Sequence, residues 1–169
     1  MTGGAGAQAP GIEFRLMDAE DLERIMELED ELFGEDAWPR SAFEAELFQP
    51  ETREYWVGEV REGPDGGDGR EIAAYGGVMC VPPVADIQTI GVARSFQGRG
   101  AGRRLLEILI DAARRRAAED VLLEVREDNA RARSLYRRRG FREIHVRKRY
   151  YRGGQAAVIM QLDLSEEDA

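Results

Sequence analysis

The segment Gln97-Gly98-Arg99-Gly100-Ala101-Gly102-Arg103 constrains this chain more than any other. Residues 85–92 before it, ending in Ile90-Gly91-Val92, read as a strand. Leu105, Leu106, Leu109, Ala112 and Ala113 after it form the apolar stripe of a helix. Three glycines therefore fall where a strand turns into a helix N-terminus. Glycine adopts left-handed backbone without steric cost and leaves neighbouring N–H groups unobstructed. Free amides and the helix dipole at such a turn favour a phosphate, and Arg99, Arg103 and Arg104 add positive charge. A bare Gly-x-Gly is most often an ordinary turn. The full string, between a strand and a Leu-rich helix, is far more specific.

The rest of the chain builds an α/β fold around this turn. Residues 12–17 alternate apolar and polar and read as a first strand, and Asp18 is placed to cap the helix that follows. Leu22, Ile25, Met26, Glu29, Leu32 and Phe33 share one face of that helix. A break at 34–39 precedes a short helix over 41–48, with Ser41 as its expected cap. Strands are expected at 55–60, 72–81 and 85–92, with a Gly/Asp-rich loop at 62–70 and Pro82-Pro83 ending the second. Residues 121–125 are nearly all apolar, as in a strand of a sheet covered on both faces. Asp128-Asn129 caps a helix carrying Ala132, Leu135 and Tyr136, Gly140 stops it, and strands at 141–149 and 156–164 close the chain. The order β-α-α-β-β-β-α-β-α-β-β gives a mixed sheet with helices on both faces. One domain over 12–164 is expected, with a disordered leader at 1–11 and an acidic tail at 165–169.

Other chemistries are poorly supplied. One cysteine, Cys80, cannot form an internal disulfide, and one histidine, His145, makes a histidine-based metal site or a Ser-His-Asp triad a poor expectation. No metal is expected. Cys80 lies in an apolar strand and reads as a buried small hydrophobe rather than a nucleophile. His145, between Ile144 and Val146, reads as structural. No apolar run approaches the ~20 residues of a membrane span, and residues 1–11 lack the basic start and apolar stretch of a signal peptide. A cytoplasmic location is expected, without a membrane partner. The net charge of −9 is uneven. Residues 1–93 hold 21 acids and 6 arginines, a net of −15, whereas 94–152 hold 18 Lys and Arg against 8 acids, a net of +10. The two halves can be plain solvated faces, or a basic half that meets a polyanion and an acidic half that attracts a cation. The basic residues lack the interleaved aromatics of a single-strand platform, so no direct nucleic-acid contact is expected.

Two side chains stand out beside the turn. Glu124 is a lone carboxylate in Val121-Leu122-Leu123-Glu124-Val125. Burial of an unpaired charge is costly, so a carboxylate there is either functional or a strand-end residue paired to Arg126 or another arginine. If buried, desolvation raises its pKa towards that of a useful base. Tyr136, on a helical core face, is either functional or a core aromatic with its hydroxyl at the surface.

The turn resembles the acetyl-CoA signature R/Q-x-x-G-x-G/A of the GNAT acetyltransferase superfamily, and the element order resembles that fold over residues 12–164. The resemblance implies a mixed, mostly antiparallel central sheet and acetyl-CoA as cosubstrate. Its pyrophosphate would lie on the amides of Gly98, Arg99, Gly100, Ala101, Gly102 and Arg103, and its pantetheine arm would pair like a strand with Ile90, Gly91 and Val92. A narrower resemblance runs through Leu123-Glu124-Val125-Arg126-x-x-Asn129, Leu135-Tyr136-x-x-x-Gly140-Phe141 and Arg147-x-x-Tyr150-Tyr151. These strings are similar to the RimI-type ribosomal-protein-alanine N-acetyltransferases. The similarity implies Glu124 as general base, Tyr136 as general acid, Asn129 beside the cofactor, and Trp38, Tyr150 and Tyr151 around the acceptor. The chain departs from the group pattern at Pro39, where Ser is usual, at Ala156, where Asp is common, and at Arg152, where Pro is common.

The expected reaction is direct attack, in a ternary complex, of a protein N-terminal α-amine on the thioester. The expected partner is a basic, ribosomal protein beginning with alanine, steered by the acidic half of the chain. A GNAT enzyme for a small amine or a lysine side chain, and a non-catalytic acyl-CoA-binding module, are the alternatives. The second of these has no need of both Glu124 and Tyr136.

Overall fold

Seven strands and four helices make up the described part of the computed structural model, residues 11–61 and 69–167. In chain order they are β1 (Ile12–Leu16), α1 (Leu22–Phe33), α2 (Arg40–Leu47), β2 (Arg53–Arg61), β3 (Arg70–Val81), β4 (Val84–Val92), α3 (Ala101–Arg115), β5 (Asp120–Arg126), α4 (Ala130–Arg139), β6 (Arg142–Arg147) and β7 (Ala157–Asp163). This is the order expected from the periodicities. The expectations at residues 1–10, 62–68 and 168–169 lie outside the described residues.

The strands form one sheet in the order β1-β2-β3-β4-β5-β7-β6. All neighbours are antiparallel except β4 and β5. That parallel pair is short. Val84, Ala85, Asp86 and Ile87 register with Asp120, Val121, Leu122 and Leu123, and the register ends there. Residues 88–92 of β4 and 124–126 of β5 are left without each other, so the sheet splits along its middle. Where the split begins, β4 also bulges: Ile87 pairs with Val78 and Thr89 with Gly77, leaving Gln88 as the extra residue.

Helices cover both faces. Leu105, Leu106, Leu109, Ile110, Ala112 and Ala113 of α3 pack with Val121, Leu123 and Val125 of β5 and with Tyr136 of α4. On the opposite face Leu22, Ile25 and Leu28 of α1 and Phe43 of α2 pack with Tyr55, Val57, Ile72 and Tyr75. That second layer lies over β2 and β3. The same face of β5 is left open, with Leu122 half-buried and Glu124 exposed. The expectation that β5 is covered on both faces is therefore corrected.

Local capping differs from expectation at two places. α2 starts at Arg40, with Pro39 rather than Ser41 at its N-cap. Proline's fixed φ and missing N–H suit the start of a helix, where no donor is needed. Asp18 caps a short 3₁₀ turn ahead of α1, through a capping box with Asp21.

Candidate active site

The turn after β4 has the backbone that its glycines allow. Gly98 and Gly100 stand at φ +78° and +81°, and Gly100 is the N-cap of α3 with no side-chain cap. The first-turn amides of α3 are thus open to a ligand. A Cβ at Gly100 meets nothing within 4 Å, so the outer side of the turn is free space. Ile90 and Val92 lean on the α3 core, whereas Gly91 sits so close to the Tyr75 ring that a Cβ there would lie 2.5 Å from it. Of the three arginines, Arg99 lies over the Phe96 ring at 5.6 Å and Arg103 is exposed. Arg104 is turned away. It donates to the Ile12 carbonyl at 2.9 Å and stacks over Phe14 at 4.9 Å, so its expected place beside the phosphate is corrected. Asn129 caps α4, its Oδ1 accepting from the Ala132 N–H at 3.1 Å.

Glu124 and Tyr136 stand on opposite faces of the sheet beside the split. Val121, Leu123 and Val125 point into the α3–α4 layer, so Glu124 points the other way. It is not the buried carboxylate expected from its apolar neighbours: its side chain keeps 35% of its accessibility and lies 3.3 Å from Arg147 Nη1. The reason is that, among the described residues, no helix covers this part of the second face. Its arginine partner is Arg147 of β6 rather than Arg126, and the pair is open enough to water that the carboxylate stays reachable. Tyr136 is 8% exposed and packs on Phe141 at 5.9 Å. Burial, and secondarily Tyr151, pushes its pKa up to about 12.

The connection between β6 and β7 carries Tyr150 and Tyr151, edge to face at 5.1 Å. Arg147 lies over the Tyr150 ring at 5.7 Å and Arg126 over that of Tyr151 at 5.5 Å. The Glu124 carboxylate raises the Tyr150 pKa, first as a hydrogen-bond acceptor, and burial followed by Glu124 pushes Tyr151 to about 12. Tyr151 thus lies within electrostatic reach of both Glu124 and Tyr136. Asp36 joins this loop to the α1–α2 connection. Its Oδ2 accepts from Arg126 Nη1 at 3.1 Å and its Oδ1 from the Arg152 N–H at 3.3 Å. Trp38, two residues further on, is half-buried against Phe43 at 5.4 Å.

Residues 22–141 match the model of the acetyltransferase (GNAT) family. The chain belongs to that family. This acetyltransferase is 42% identical over 149 residues to the N-alpha-acetyltransferase RimI of Mycobacterium tuberculosis, covering 85% of this chain and 87% of that protein. It is 41% identical over 97 residues to the [ribosomal protein bS18]-alanine N-acetyltransferase of Salmonella typhimurium, covering 56% and 66%. Its fold matches the crystal structure of the ribosomal-protein-S18-alanine N-acetyltransferase from Escherichia coli, with a TM-score of 0.74, 29% identity, and coverage of 90% and 94%. Acetyl-CoA is the acetyl donor of the family. The uncapped α3 terminus, the open side of Gly100 and the β4 edge that β5 leaves free beyond Ile87 fit a pyrophosphate followed by an extended amide chain.

Among the described residues no three His, Cys, Asp or Glu side chains cluster as metal ligands, and no helix is long and apolar enough to cross a membrane. Cys80 is buried, and burial raises its thiol pKa. His145 is exposed on β6. Three further acidic residues take their places around the site from the fold. Asp86 registers with Leu122, shares a face with Glu124, and has its pKa raised by burial and then by Glu124. It is a carboxylate in an apolar strand, so the argument applied to Glu124 finds it too. Asp36 carries no such signal, and Glu29 carries only its place on the apolar face of α1, because the partners of both are tertiary.

Proposed function

We propose that this acetyltransferase moves the acetyl group of acetyl-CoA to the α-amine of a protein N-terminus, with a ribosomal protein beginning with alanine as acceptor. The observation that carries the reading is the split between β4 and β5, with Tyr136 on one face and Glu124 on the other. A thioester threaded through the split would meet an amine arriving from the open face.

Acetyl-CoA supplies the acetyl group as an activated thioester. Gly98, Arg99, Gly100, Ala101, Gly102 and Arg103 hold its pyrophosphate by backbone amides. Ile90, Gly91 and Val92 offer an unpaired strand edge to the pantetheine, and Asn129 flanks it. Glu124 accepts a proton from the incoming ammonium, through water, and a backbone N–H near Val92 donates to the thioester carbonyl. Tyr136, kept protonated by burial, donates a proton to the departing sulfur. Trp38 on one side and Tyr150 and Tyr151 on the other wall the acceptor peptide, and Asp36 ties the two walls together. Residues 12–164 act as one domain, in the cytoplasm, without direct contact to nucleic acid.

An α-amine suits a single solvent-reachable base. With a pKa of about 7.7–8.0, roughly a fifth to a third of α-amines are neutral near pH 7.4, against roughly one lysine in a thousand. The test is mass spectrometry of basic peptides beginning with Ala, Ser, Met or Gly, and of one α-blocked lysine peptide, after incubation with acetyl-CoA. Acetylation of α-amines, alanine first, is expected. Acetyl groups confined to lysine side chains would overturn the reading.

A further inference from the structure

Glu29 is 1% exposed in α1. Its two oxygens are both occupied by neutral donors. Oε1 accepts from the Tyr75 hydroxyl at 2.9 Å and Oε2 from the Trp38 backbone N–H at 2.9 Å. Asp21 and Glu59, the other buried acids, share the guanidinium of Arg15, whereas no cation pairs with Glu29 among the described residues. An isolated buried carboxyl is costly and stays in a core only where its bonds specify something.

Its two partners lead to the two substrates. Tyr75 is fully buried, registers with Gly91, and its ring fills the space where a Gly91 side chain would stand. Gly91 lies on the strand edge offered to the cofactor, and Trp38 on the wall offered to the acceptor. We propose that Glu29 is a positioning residue, which sets the Trp38 segment at a fixed distance from the cofactor strand through Tyr75. The proposal rests on the functional reading above. The direction of the Glu29 pKa agrees with it. Burial raises that pKa, and the hydrogen bonds from the Trp38 N–H and the Tyr75 hydroxyl oppose the shift, as expected of a carboxyl held in the core by these two links.

The test compares Glu29→Leu with Glu29→Gln in the full chain. Glutamine keeps both links, accepting from the Trp38 N–H through its carbonyl and donating its amide to the Tyr75 oxygen. Leucine fills the volume and keeps neither. Glu29→Leu should raise the KM for an alanine-starting peptide about tenfold, as a displaced positioning element does, and leave the coenzyme A Kd within about twofold by calorimetry. Glu29→Gln should restore the KM. A second readout needs no turnover. In a Trp56→Phe background Trp38 is the only tryptophan, and acrylamide should quench it more strongly in Glu29→Leu than in Glu29→Gln. Equal quenching and equal KM in the two variants would overturn the proposal. Greater quenching without acetyl transfer by any variant would instead leave the positioning role standing and count against the functional reading.

Discussion

Arg147 Nη1 stands 3.3 Å from Glu124 Oε1, reaching over β7 from the edge strand to the split in the sheet. The two side chains keep 51% and 35% of their accessibility, so water screens their attraction. Such a pair contributes about 0–1 kcal/mol and opens readily when an ammonium arrives.

The two members should therefore behave differently when changed. Arg147→Met should alter unfolding stability by less than about 1 kcal/mol in urea titrations. Glu124→Gln should lower kcat by about 10²–10⁴-fold while coenzyme A affinity by calorimetry stays near the starting value. Full turnover by the Gln variant at pH 7.4 would place the base elsewhere.

Tyr136 makes a prediction about alkaline pH. Its phenol is raised from about 10 to about 12 by burial, so folding favours the protonated form. The stabilisation is fully present below about pH 10 and is lost as pH rises through about 12. The phenol thus stays protonated across the working range, and if it is the acid, kcat should hold a plateau to about pH 10. Tyr136→Phe should cost about 10²-fold or more in kcat at pH 8. A falling limb centred near pH 9 that disappears in the Phe variant would contradict a buried, raised phenol.

Stability should depend on a site remote from the split. Arg15 binds Asp21 through both terminal nitrogens at 2.9 and 2.6 Å and Glu59 at 2.6 Å, and the two carboxylates keep only 6% and 10% of their side-chain accessibility. Asp21 first, then Glu59, raises the Arg15 pKa. Arg15→Met strands two acids with only Arg70 near Glu59, at 3.4 Å. The expected loss is about 2–3 kcal/mol, below the fully buried case because Arg15 itself is one-third exposed. Arg24→Met, which breaks exposed pairs with Glu27 and Glu71, should lose about 0.5 kcal/mol or less. Equal losses in urea titrations of the two variants would contradict the distinction.

The elements were legible because each carries its own period or punctuation. The stripe of α3, the glycine stop of α4 at Gly140 and the alternation of β1 are local, and so is the left-handed backbone that Gly98 and Gly100 permit. What a strand faces is not local. The nearly all-apolar run around Glu124 reads as a strand covered on both faces, because it cannot say that α1 and α2 stop short of β5. The expected burial of Glu124 therefore fails at a side chain that is open to solvent. Arg104 departs from its expected place for a similar reason, since its carbonyl partner Ile12 lies 92 positions away. Asp36 looks like an ordinary surface acid until the fold brings Arg126 and Arg152 to it, and Glu29, though it lies on the apolar face of α1 in the sequence, shows its partner Tyr75 only in the fold.

The phosphate cradle calls for a substitution that changes charge without changing backbone strain. Gly100 stands at φ +81°, where most side chains are strained whatever the space around them. A bulky acidic residue there would mix strain with repulsion. Asn and Asp both tolerate left-handed backbone, share one shape and differ by one charge. A Cβ at this position meets nothing within 4 Å, so neither residue clashes. Gly100→Asn should keep coenzyme A affinity within about threefold of the parent. Gly100→Asp puts a carboxylate at the N-cap of α3, where it competes with the pyrophosphate for the same amides. The Asp variant should bind coenzyme A at least about tenfold more weakly, by about 1.4 kcal/mol or more, with matching circular dichroism spectra for the pair. The gap should narrow in high salt, because screening weakens charge repulsion. Equal affinities for the Asn and Asp variants would place the pyrophosphate away from this turn.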